Sequence, residues 1–83
     1  MANIENIALY YKPTCPFCQK VLRSKDELGL EFELCDTSAN SEYMEEQVAA
    51  TGRKTVPCLK IIDGDDVQWM YESDDICDYL KKL

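Results

Sequence analysis

Cys15 and Cys18 are the residues best placed to do chemistry: two residues separate them, whereas Cys35, Cys58 and Cys77 stand alone. In a reducing compartment a lone Cys-x-x-Cys pair is either a redox dithiol or half of a zinc site. Zinc normally takes four ligands, and the other two would have to come from the isolated cysteines, because the chain has no His and no second Cys-x-x-Cys. A secreted disulfide framework also fits poorly, since five thiols cannot all pair. The pair therefore reads as a dithiol that cycles through a disulfide, with a buried inert pair or a static disulfide as the plain alternative. The lack of His also removes imidazole acid–base catalysis, which leaves the thiols as the most reactive groups available.

What decides between these readings is where the chain puts the pair. Ile4 to Tyr11 is apolar and aromatic-rich and predicts a strand that ends at Lys12-Pro13-Thr14. From Pro16 onward, Phe17, Val21, Leu22, Lys25 and Leu28 recur at helical spacing, with Pro16 suited to a first helical turn and Gly29 to a left-handed stop. Glu31 to Cys35 alternates as a short strand. A polar stretch from Asp36 to Ser41 then leads into a helix over Glu42 to Thr51, with Tyr43, Met44, Gln47 and Val48 on one stripe and Gly52 at its end. Val56 to Ile62 predicts a strand that starts at a proline, Asp63-Gly64 a hairpin, and Val67 to Met70 its return strand. Ile76, Tyr79, Leu80 and Leu83 recur at i, i+3, i+4 and i+7, with Asp74 and Asp75 in the first turn and Lys81 and Lys82 in the last, matching a helix dipole.

The order is β-α-β-α-β-β-α. A helical crossover joins parallel strands and a tight hairpin joins antiparallel ones, so an α/β fold with a mixed four-stranded sheet and three helices is expected. With 83 residues, no internal repeat and no Pro/Gly-rich linker, residues 1–83 are expected to form a single domain. Cys15 then falls where the first strand becomes the first helix, facing unpaired helical N–H groups and the positive end of the dipole, with Lys12 three residues earlier. Those features favour a thiolate, the form that attacks disulfides. Cys18, one turn further in, would be the more buried, resolving thiol.

Lys12-Pro13-Thr14-Cys15-Pro16-Phe17-Cys18 resembles the active-site segment of the glutaredoxins, and Gly52-Arg53-Lys54-Thr55-Val56-Pro57 resembles their downstream loop, in the same order and at about the same separation. The element order is that of the family's thioredoxin-like fold, so the resemblance covers nearly the whole chain. It implies a glutathione-dependent thiol-disulfide oxidoreductase with glutathione as co-substrate and no metal, whose partners are glutathione and disulfide-containing or glutathionylated proteins. By position, Cys15 would form the mixed disulfide with glutathione and Cys18 would close the intramolecular disulfide. Pro57 would be the family's cis-proline, leaving the Val56 backbone to pair with the ligand as a short added strand. Lys12 and Arg53 would hold the glycine carboxylate of glutathione, and Phe17 and Thr55 are counted with the two matched segments as ligand contacts.

The last helix departs from that family. Glutaredoxins usually carry Gly-Gly, a small polar residue and Asp there, whereas this chain has Tyr71-Glu72-Ser73-Asp74. Glu72-Ser73 is instead similar to the helix start of glutathione transferase N-terminal domains. In both families this helix start receives the γ-glutamyl end, which makes Ser73 with Glu72 or Asp74 the candidates. The competing reading is that Ser73 caps the helix and the acids satisfy its dipole. Losing the glycines could also crowd bulky protein substrates. Two further functional readings keep part of this chemistry: a dithiol fed by a thioredoxin-reductase-like flavoprotein, and a non-enzymatic iron–sulfur carrier using Cys15 and glutathione across a dimer. Lys12, Arg53 and Ser73 favour glutathione over the first, and Pro16-Phe17 with Cys18 resemble the dithiol branch rather than the single-cysteine carriers.

Other signals are weaker. Cys35, Cys58 and Cys77 read as small buried hydrophobes, although Cys58 directly follows Pro57 and is the one that could be a second reactive or glutathionylated thiol. Asp63-Gly64-Asp65-Asp66 lacks the spacing of a calcium loop and reads as a solvated hairpin. Trp69 and Tyr71, one residue apart, are expected on one face of a strand.

Composition bounds the rest. At 46% hydrophobic and 30% charged, with three Gly and three Pro, the chain is that of a folded domain rather than a linker or tail. Nine basic against sixteen acidic residues give a net charge of −7, which argues against nucleic acid and anionic membranes. No apolar run approaches a membrane span, and the N-terminus lacks the basic-then-apolar pattern of a signal peptide, so a cytoplasmic protein is expected, and as a separate expectation a monomer. Because glutathione is itself an anion, Lys12, Arg53 and Lys54 would have to form a local positive island around Cys15.

Overall fold

A computed structural model describes residues 2–83. Its elements run β1 (Ala2–Tyr11), α1 (Pro16–Leu28), β2 (Leu30–Asp36), α2 (Ser41–Thr51), β3 (Cys58–Asp63), β4 (Asp66–Met70) and α3 (Ser73–Lys81). The sheet order is β2-β1-β3-β4. β1 lies parallel to β2, as the α1 crossover requires, and antiparallel to β3; β3 and β4 form the expected hairpin, closed by the Asp63 and Asp66 pair. The α/β class, element order and mixed four-stranded sheet match the expectation.

β1 is central and buries both faces, which is why its sequence reads as a nearly continuous apolar run. Ile7 and Leu9 face a core completed by Val21 of α1, Leu30 and Phe32 of β2, Leu59 and Ile61 of β3, and Ile76, Cys77 and Leu80 of α3. Ala8 and Tyr10 point the other way, with Cys35 and Cys58, under Tyr43, Trp69 and Tyr71. Each fully buried aliphatic side chain contributes about 1.5–3 kcal/mol. The second face is covered by α2, which is docked through polar and aromatic contacts: the Tyr10 hydroxyl donates to Glu46, Lys60 pairs with the same carboxylate at 3.1 Å, and the Tyr10 and Tyr43 rings meet edge-on at 6.1 Å. Among the described residues no helix is long and apolar enough to cross a membrane.

The boundaries differ from the sequence reading in instructive ways. β3 starts at Cys58 rather than Val56; Val56 and Pro57 lie in a bend, the bond between them is cis, and the ladder with β1 ends at the pair Tyr10 and Cys58. Proline has no N–H to extend a ladder. α2 starts at Ser41 because Asn40 caps it, its side chain accepting from the Glu42 N–H at 2.9 Å. β1 and β2 are longer than predicted, β4 starts at Asp66, and Lys82 is the C-cap of α3 rather than part of its last turn. Gly29 and Gly52 end α1 and α2 in the left-handed conformation, as their positions suggested. Tyr71 lies just past the end of β4, yet it packs on the same face as Trp69.

Candidate active site

The β1–α1 junction builds the first half of the site. A turn bond from the Cys15 N–H to the Lys12 carbonyl (3.1 Å) and a bond from the Gln19 side chain to the Pro13 carbonyl (2.6 Å) fix the loop. Pro16 then starts α1 and leaves Cys15 as its N-cap, in extended conformation. Burial opposes a charge on the Cys15 sulfur. It is outweighed by hydrogen bonding from the Cys18 amide and thiol, by the Phe17 amide and by the positive charge of Lys12, so the thiol sits below its ordinary value of 9.0. Cys18 is fully buried, and burial pushes it up to about 12, with the neighbouring Cys15 sulfur adding to the rise. The two thiols therefore differ in both access and acidity: one is a half-exposed thiolate former, the other a buried acid that keeps its proton.

The second half is the bend before β3. The Val56 carbonyl lies 3.9 Å from the Cys15 sulfur. Beside it runs a groove of about 270 Å³, walled by Arg53, Thr55, Val56 and Pro57 on one side, by Tyr71, Glu72, Ser73 and Asp74 on the other, and by the exposed Phe17 ring next to the cysteine. Eight of the nine predicted ligand contacts thus meet in one groove. Lys12 does not reach its wall; it stays half-buried on the cysteine side, where its charge acts on both thiols.

The groove's charges are partly committed. Lys20 of α1 pairs with Asp74, leaving Glu72 as the unpaired acid of the groove. Arg53 lies over the Tyr71 ring, its guanidinium carbon 5.3 Å from the centroid. Lys54 faces away, into a separate hollow with Met44, Glu45 and Val48 along α2, so the anticipated three-residue positive island reduces to Lys12 and Arg53. Ser73 is not the helix cap: Glu72 occupies that position without a side-chain capping bond, and Ser73 is the first helical residue. Its hydroxyl is therefore not spent on the helix end.

Cys58 is fully buried and burial raises its thiol to about 11, which agrees with its reading as a small buried hydrophobe and argues against a second reactive thiol despite its place after Pro57. Cys35 is likewise buried and raised to about 11, and Cys77 is packed between α1 and α3 against the Ser24 hydroxyl. One residue lining the groove escaped the sequence reasoning about ligand contacts: Tyr71, which the sequence showed as an anomaly where glycine is usual and as a strand-face neighbour of Trp69. Among the described residues no three Cys, Asp or Glu side chains converge as metal ligands.

Residues 9–83 match the family described as glutathione S-transferase, N-terminal domain. Glutaredoxin 3 of Escherichia coli K12 is 33% identical over 76 residues, which is 92% of this chain and 83% of that protein. Among solved structures, wheat glutaredoxin superposes with a TM-score of 0.67 at 25% identity, over 92% of this chain and 71% of that one. A trimeric glutathione transferase of Leishmania superposes with a TM-score of 0.73 at 29% identity, over 92% of this chain but 17% of that polypeptide. The chain thus spans most of a glutaredoxin and less than a fifth of that transferase.

Proposed function

Because the chain belongs to the glutaredoxin family of the thioredoxin-like fold, we propose that it is a glutathione-dependent thiol-disulfide oxidoreductase working through Cys15 and Cys18. The observation that carries this reading is the Cys15 thiol, lowered in pKa at a helix start and set beside a groove that gathers Arg53, Val56 and Ser73. About 270 Å³ is just below the range of roughly 300–1,000 Å³ usual for ligand clefts, a size for one small peptide-like molecule.

In the one-thiol route, the Cys15 thiolate attacks the glutathionyl sulfur of a mixed disulfide, and the substrate leaves as a thiol after taking a proton. A second glutathione thiolate then attacks the glutathionyl sulfur held on Cys15, giving oxidised glutathione and restoring the Cys15 thiolate. In the two-thiol route, the Cys15 thiolate attacks one sulfur of the substrate disulfide, breaking its S–S bond and expelling the other sulfur as a thiolate that takes a proton. Cys18 then attacks the Cys15 sulfur, its proton passing to the second departing substrate thiolate, and two glutathione thiols reduce the resulting Cys15–Cys18 disulfide, leaving as oxidised glutathione. The proximity of the Cys15 sulfur helps to hold the Cys18 proton in place. Once Cys15 is in a disulfide its charge is gone and that part of the rise is relieved, while burial, the larger cause, remains.

Val56 offers backbone N–H and C=O groups to the cysteinyl part of glutathione, Arg53 a fork for one carboxylate, and the α3 start, with the Ser73 hydroxyl and Glu72, the γ-glutamyl end. Lys12 acts through the thiols. The partners on this reading are glutathione and disulfide-bearing or glutathionylated proteins, served by one glutaredoxin-like domain.

The test is a coupled assay with glutathione and its reductase. Cys15→Ser is expected to abolish exchange with every substrate, whereas Cys18→Ser is expected to keep deglutathionylation and lose protein-disulfide reduction. Equal loss in both assays for Cys18→Ser would contradict the one-thiol route. Turnover seen only with thioredoxin reductase would assign the electrons to a flavoprotein instead.

A further inference from the structure

α2 has one fully buried side chain, and it is polar. Gln47 is 0% exposed, while the neighbouring apolar Met44 and Val48 line an open hollow. Its Nε2 donates to the Thr55 carbonyl at 2.6 Å; since that carbonyl can only accept, the amide orientation is fixed, and Oε1 is left buried with no partner. An apolar side chain of the same length would fill this position without burying the unpartnered Oε1, at the loss only of the bond to the Thr55 carbonyl, so that bond and not the packing is the reason for a glutamine.

One turn further on, the Thr51 hydroxyl donates to the Gln47 carbonyl at 2.8 Å and accepts the Arg53 N–H at 3.1 Å. Two residues at i and i+4 on one face of α2 thus grip the Gly52–Thr55 segment at both ends. Thr51 holds it at Arg53 and Gln47 at Thr55, immediately before Val56, whose carbonyl faces the Cys15 sulfur at 3.9 Å. Arg53, Thr55 and Val56 are three of the walls of the groove.

We propose that Gln47 is a positioning residue: its side-chain amide sets the Thr55–Val56 backbone and thereby the affinity of the groove for glutathione, without touching the ligand. This inference rests on the glutathione reading above. The isosteric variant Gln47→Met keeps the packing and removes the donor. Expected are a KM for glutathione raised about threefold to tenfold with kcat within about twofold, backbone amides of residues 52–56 that exchange faster, an unchanged rate of Cys15 alkylation by iodoacetamide, and a Tm within about 4 °C of the parent. A merely structural role would instead lower Tm and leave KM alone. Gln47→Leu, which likewise has no donor, is expected to reproduce the KM defect. In the unmodified protein the Gln47 side-chain amide protons are expected to exchange slowly by NMR, which keeps the test independent of whether a variant folds. Parental KM and parental loop exchange in Gln47→Met, or rapid exchange of those side-chain protons, overturns the inference. Failure of the parent to turn over glutathione overturns the functional reading itself, and is told apart because it is seen in the unmodified chain.

Discussion

Four of the five thiols of this chain are sorted by environment alone. Cys15 meets helical amides and a lysine charge and is lowered, whereas Cys18, Cys35 and Cys58 meet apolar walls and are raised to about 12, 11 and 11. Two pH dependences follow with opposite signs. Alkylation of Cys15 rises as pH rises through its folded pKa, so the rate profile with iodoacetamide should turn over below the ordinary value of 9.0; a midpoint above that value would contradict the thiolate assignment. Cys18, Cys35 and Cys58 bind protons more tightly folded than unfolded, so their contribution to stability is complete below pH 9 and is lost as pH climbs through 9 toward 11 and 12. Urea midpoints measured across that window should fall, and Cys58→Ala should flatten the slope. At this scale the sequence was informative where the chemistry is local: spacing, strand-to-helix position and Lys12 sufficed for Cys15. It was uninformative where burial decides, because nothing in Pro57-Cys58 says that the thiol faces the core, nor in Arg53-Lys54 that only the first points at the groove. Gln47 belongs to the same class, its partner lying eight residues away across a loop whose path was not predictable.

Elements were more legible than residues because each carries a repeated signal. α1 was bracketed by Pro16 and Gly29, α2 was closed by Gly52 and the hairpin by Asp63-Gly64, all rules that act within one turn of chain. The misplaced start of β3 has the reverse cause: Val56 is a strong strand former, but the ladder needs a donor that Pro57 lacks. The packing of α3 gives a stability prediction at this scale. Ile76 is fully buried between α3, α1 and the sheet, so Ile76→Ala is expected to cost about 2–5 kcal/mol by urea unfolding. Val67→Ala, on the half-exposed edge strand β4, should stay within about 0.5 kcal/mol. A small effect at Ile76 would mean that α3, and with it Glu72 and Ser73, is not anchored by this core.

Over the whole molecule the charge of −7 acts across a body of 32 × 30 × 19 Å. At 0.01 M salt the screening length is about 30 Å and an approaching anion feels every surplus carboxylate; at 0.15 M it is about 8 Å and the anion feels mainly Arg53 and Lys12. For an anionic glutathione disulfide, kcat/KM is therefore expected to rise between those salt concentrations, while a cationic disulfide should show the opposite trend; a fall for the anion would mean that the local pair dominates even at long range. The placement of β1 has a consequence for how the molecule fails. The strand that delivers Cys15 is bonded on both sides, to β2 and to β3, and buries both faces, so it belongs to the part of the structure that opens last. The Arg53–Thr55 segment is held by side-chain bonds to Gln47 and Thr51 and by Arg53 over the Tyr71 ring, without ladder bonds, so it is expected to open before the sheet does. On the proposed function, a heat-stressed molecule would keep the Cys15 sulfur in place after the groove had loosened, still able to form mixed disulfides but less particular about the thiol with which it forms them.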